Sequence, residues 1–77
     1  MSEARRQIHL AELQITHGHL ARNQVLIREQ QARMDRLERA GGRVSDVSRQ
    51  LLDLLRLSRK TKEDHVTLLE RELERGE

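Results

Sequence analysis

In the first half of the chain, Leu13, Leu20, Ile27 and Met34 stand seven residues apart, and so do Ala4, Ala11, Gly18, Val25 and Ala32. A strict seven-residue repeat marks a helix that supercoils against another helix. The two series lie about 150° apart on a heptad wheel, so this helix has one large apolar face and one small one. Ile8 and Ile15 widen the small face. In the second half, Val47, Leu54 and Leu68 recur at sevens with Thr61 in the gap. Val44, Leu51, Leu55 and Leu69 extend that face, and Leu52, Val66 and Leu73 form its far edge. Arg49, Arg56, Glu63 and Glu70 make a polar line opposite. This is the pattern of a helix packed on one side.

Gly41-Gly42 separates the halves in a chain without proline. Glycine commonly ends helices, and Arg36, Arg39 and Arg43 suit a helix C-terminus. Ser45 is a good N-cap, with Asp46 in the first turn. The pattern predicts an all-α single domain over residues 1–77. Its helices run over about 3–40 and 46–75, with the turn at Gly41-Gly42. One continuous helix is the alternative, and two adjacent glycines would cost it about 2 kcal/mol. The polar stretch Ser58–Asp64 also offers a place for a third helix to start, because Thr61 and Asp64 have capping-box-like spacing.

Folding the chain back at the glycines pairs positions of nearly constant sum. A sum of 81 joins Leu13 to Leu68, Leu20 to Thr61, Ile27 to Leu54 and Met34 to Val47. The expected architecture is therefore an antiparallel two-helix hairpin about 55–60 Å long, against about 110 Å for one unbroken helix. The neighbouring sum of 82 brings His17 to His65 and Gln24 to Ser58, a polar layer inside the seam. Two imidazoles there would repel when both are protonated, with loss of dimer or helix expected between pH 7 and 5.

A lone hairpin leaves the small face open. Ala4, Ile8, Ala11, Ile15, Gly18, Val25 and Ala32 are expected to form a protomer interface, closing a homodimeric four-helix bundle.

Composition narrows the chemistry. The 77 residues include no Cys, Trp, Tyr or Phe, which excludes disulfides, thiolate chemistry and aromatic stacking. His9, His17, His19 and His65 lack metal-site spacing, so no metal and no cofactor is expected. No serine stands in a nucleophile-elbow context and no phosphate-binding loop exists. The chain is not expected to be an enzyme.

The net charge is +2, with 15 basic and 13 acidic residues. Residues 56–62 are basic and 63–77 acidic, a dipolar surface. No span could cross a membrane, and the cytoplasm is the default location. The expected function is a non-catalytic protein–protein interaction or oligomerisation module, a small adaptor or regulatory subunit whose partner is a second copy or another helical protein. The alternative is a small basic dimer that binds nucleic acid. It would use Arg33, Arg36, Arg39 and Arg43 at the hairpin tip, and Arg56, Arg59, Lys60 and Lys62 beside it.

Overall fold

The computed structural model describes residues 2–76. Two helices, α1 (Glu3–Arg39) and α2 (Asp46–Arg75), pack against each other as an antiparallel hairpin. The hairpin measures 58 × 15 × 15 Å, the length expected of a chain folded back on itself at its midpoint. α2 runs unbroken through Ser58–Asp64, so no third helix starts there. Thr61 instead donates its hydroxyl to the Leu57 carbonyl at 3.1 Å, within the helix.

Local chemistry sets the helix ends. Ser2 caps α1 by accepting from the Arg5 amide at 3.2 Å. Ser45 caps α2 by accepting from the Ser48 amide at 3.1 Å. Each satisfies one of the amides that a first turn leaves without a partner.

At the end of α1 the Gly42 amide reaches back to the Leu37 carbonyl at 2.9 Å, and the Gly41 amide to the Glu38 carbonyl at 3.0 Å. This is a Schellman closure. It requires Gly41 at φ +80°, a left-handed conformation that only glycine adopts without strain. Gly42 is needed for a different reason. A Cβ there would overlap the Leu37 side chain and come within 3.1 Å of the Leu37 carbonyl oxygen.

The axial register matches the expected one closely at the open end, where His9 meets Glu72, a sum of 81. Nearer the turn Gln30 meets Ser48, a sum of 78. The rotation of α2 differs from the expected one. α1 turns Leu13, Leu20, Ile27 and Met34 inward, and α2 answers with Leu52, Leu55, Val66, Leu69 and Leu73. Val47, Leu54, Thr61 and Leu68, the expected seam residues of α2, are exposed. The correction amounts to a turn of about one residue, or roughly 100°, around the helix axis.

The seam also has a polar side on α1. Three or four residues from each of its large apolar positions stand His9, Thr16, Asn23 and Gln30, a second series at sevens and wholly polar. All four are buried or half-buried. Across the seam Gln30 donates to the Ser48 backbone carbonyl and His9 meets the Glu72 carboxylate. Val47, Leu51, Leu54 and Leu68 are left outside, with Ser58, Thr61 and His65 spaced among them.

Gly41→Ala is expected to destabilise the hairpin by about 1–2 kcal/mol, the cost of a left-handed non-glycine residue, read from thermal melts by far-ultraviolet circular dichroism. An unchanged melt would mean that the left-handed closure does not form.

Candidate interaction surface

The hairpin has two flanks of opposite character. One is a groove lined by Gln31, Glu38, Arg49, Asp53 and Arg56, with Met34 and Leu52 at its floor. Arg56 donates to the Gln31 side-chain oxygen at 3.2 Å across it. The other flank, near the turn, is a groove of about 310 Å³ bordered by Met34, Leu37, Val44, Val47 and Leu51. It continues along α2 as a stripe of exposed apolar residues. Val47 is 74% exposed, Leu54 64%, Leu68 55% and Leu51 44%. Leu57 lies beside the stripe at 63%.

The small face of α1 lies on the side of that helix turned away from α2. Ala4, Ile8, Ala11, Ile15, Gly18 and Val25 are exposed and Ala32 is half-buried. A Cβ added at Gly18 would meet nothing within 4 Å, so that glycine has no packing role inside the protomer. The helical period also places Arg22 and Glu29 along this face, between its apolar positions.

The polar seam is where titratable chemistry gathers. His9 is half-buried, and both ring nitrogens face acceptors. Nδ1 lies 2.9 Å from the Arg5 carbonyl and Nε2 lies 2.6 Å from a Glu72 carboxylate oxygen. A neutral imidazole can donate only one proton, so the protonated ring alone satisfies both contacts. The Arg5 carbonyl first, and then the Glu72 carboxylate, hold the His9 pKa above the ordinary 6.5. Gln30 donates to the Ser48 carbonyl at 3.0 Å and accepts from Arg33 at 3.5 Å. Lys62 is half-buried and donates to Ser58. The side-chain oxygen of Asn23, buried in the same series, has no hydrogen-bond partner.

The expected polar layer forms from other residues. His17, Gln24 and His65 are exposed and only Ser58 is half-buried. His65 lies 3.7 Å from Glu12 rather than against His17, so no paired imidazoles exist to drive a loss of structure on acidification. The one-residue rotation of α2 that exposes Leu54 and Leu68 also carries His65 out of the seam. The signal for the true layer was the spacing of His9, Thr16, Asn23 and Gln30 at sevens, three to four residues from the Leu13 series.

The basic residues are dispersed and engaged locally. Arg33, Arg36, Arg39 and Arg43 are exposed near the turn, where Arg39 donates to the Asp35 carbonyl. Arg59 pairs with Glu63 at 3.3 Å and Lys60 with Asp64 at 3.6 Å. Among the described residues no three His, Asp or Glu side chains are placed to share a metal ion. Among the same residues no helix is long and apolar enough to cross a membrane.

No protein-family model matches the chain, and no match is found among curated proteins or solved structures.

Two outcomes follow from the seam. A raised His9 pKa stabilises the fold fully below the unfolded value near 6.5, and that contribution is lost as pH rises through the folded value. The melting temperature should therefore fall as pH rises above about 6.5 in the parent chain, and fall less in His9→Gln. Equal slopes would remove the role given to the Glu72 contact. Replacing the unsatisfied amide by an apolar group of similar size, Asn23→Leu, should raise stability by about 1–3 kcal/mol in urea unfolding. A loss of stability would show that the Asn23 oxygen is satisfied in solution.

Proposed function

We propose that this hairpin is a non-catalytic protein–protein interaction module, a small adaptor or regulatory subunit that works as a homodimer. The observation that carries the reading is the placement of its apolar surface. The protomer closes its seam with Leu52, Leu55, Val66, Leu69 and Leu73 and leaves Val47, Leu51, Leu54 and Leu68 outside, with Ser58, Thr61 and His65 among them. Burying one Leu or Val side chain fully is worth about 1.5–3 kcal/mol. Among the described residues, no side chain in the isolated protomer is fully buried. An apolar stripe of this length alongside so thin a core supports a protein that completes itself on another helical surface.

The shallow, open grooves support the non-catalytic part of the reading. The nucleic-acid alternative draws less support, because Arg39, Arg56, Arg59, Lys60 and Lys62 are already held by neighbours within the chain.

Light scattering with refractive-index detection tests the reading, since the chain lacks the aromatic residues that absorb near 280 nm. The expected mass is twice 9.1 kDa, with full helicity. A well-folded helical monomer at micromolar concentration would overturn it.

A further inference from the structure

We infer that the second copy docks along the outer stripe of α2, antiparallel to it, with the two-fold axis passing beside Ser58. This deepens the homodimer reading and rests on it. Three observations converge.

The first is self-complementarity. A two-fold contact requires each position to meet one whose number completes a constant sum. With a sum of 115, Val47 meets Leu68 of the second copy and Leu54 meets Thr61, while both reciprocal contacts form. The axis then falls between positions 57 and 58, so Ser58 meets Leu57 of the second copy, a residue exposed beside the stripe. The stripe runs over about 32 Å of helix, three heptads, with a large apolar residue near each end and small polar ones next to the axis.

The second is charge. Residues 56–62 are strongly basic, and a two-fold axis through them would bring like charges together if they faced it. They do not. Arg56 reaches across the opposite flank to Gln31, Lys60 pairs with Asp64, and Arg59 and Lys62 are half-buried toward the seam. The positions left facing the axis, Leu57, Ser58 and Thr61, are neutral.

The third is area. The protomer exposes 5968 Å², whereas a compact monomer of its mass exposes about 4,900 Å². The excess of about 1,100 Å² covers the roughly 800 Å² that each partner buries in a stable interface. The small face of α1 serves this purpose less well, since Arg22 and Glu29 interrupt it and its residues are mostly Ala and Gly.

The absence of cysteine makes the test direct, because any single introduced thiol can only link to its own copy. Ser58→Cys and Gly18→Cys would be compared under mild oxidation, with light scattering on the reduced samples. The inference expects a reduced mass of twice 9.1 kDa and linkage of Ser58→Cys at least tenfold faster than of Gly18→Cys. It also expects Leu54→Lys to shift the mass to the monomer with helicity retained. A dimeric mass with faster linkage at Gly18→Cys, or an unchanged mass for Leu54→Lys, would overturn the α2 axis and leave the homodimer standing. A monomeric mass for the parent chain would remove both.

Discussion

Two helices packed side by side share one seam, and each leaves most of its circumference in water. That constraint governs this chain more than any single contact. A hairpin 15 Å across has no interior in the sense that a globule has one. Its best-buried apolar residues, Ile27, Val44, Leu52, Val66 and Leu69, still keep 4–8% of their surface exposed. Stability must come from local helix formation, from the caps and the glycine closure, and from a narrow seam along one side of each helix.

Against that background the composition of the seam is informative. An apolar heptad pair would fill both repeating positions of α1 with aliphatic residues. Here one of the two is His9, Thr16, Asn23 and Gln30. Polar groups in a helix–helix seam lower stability and favour one alignment, because each buried donor or acceptor is satisfied in few registers. His9 with Glu72 anchors the open end, and Gln30 with the Ser48 carbonyl anchors the end near the turn. Asn23, midway between them, carries the cost of the arrangement in its unsatisfied oxygen.

Much of the fold was readable from residue order. Helix ends, the break at Gly41-Gly42 and the axial register follow from caps, glycine chemistry and a count from the midpoint, all local or nearly local signals. The rotation of α2 was not readable in the same way. Its apolar face is broad enough to hold two heptad stripes about one residue apart, one with Val47, Leu51, Leu54 and Leu68 and one with Leu52, Leu55, Val66, Leu69 and Leu73. The choice between them depends on how each meets α1, which apolar periodicity in one element does not report. His17 and His65 were misassigned for the same reason, since their expected meeting depended on the rotation rather than on the register.

The inner seam and the outer surface are therefore one choice. Turning α2 by about 100° would exchange the stripes, burying Leu54 and Leu68 while exposing Leu52 and Leu69. That exchange would bring no gain in apolar burial, since the inner stripe holds Leu52, Leu55, Val66, Leu69 and Leu73, and the outer one Val47, Leu51, Leu54 and Leu68 with Ser58, Thr61 and His65 among them. The His9–Glu72 and Gln30–Ser48 contacts form in the observed rotation. The outer apolar residues contribute little to the isolated protomer, which leaves them exposed.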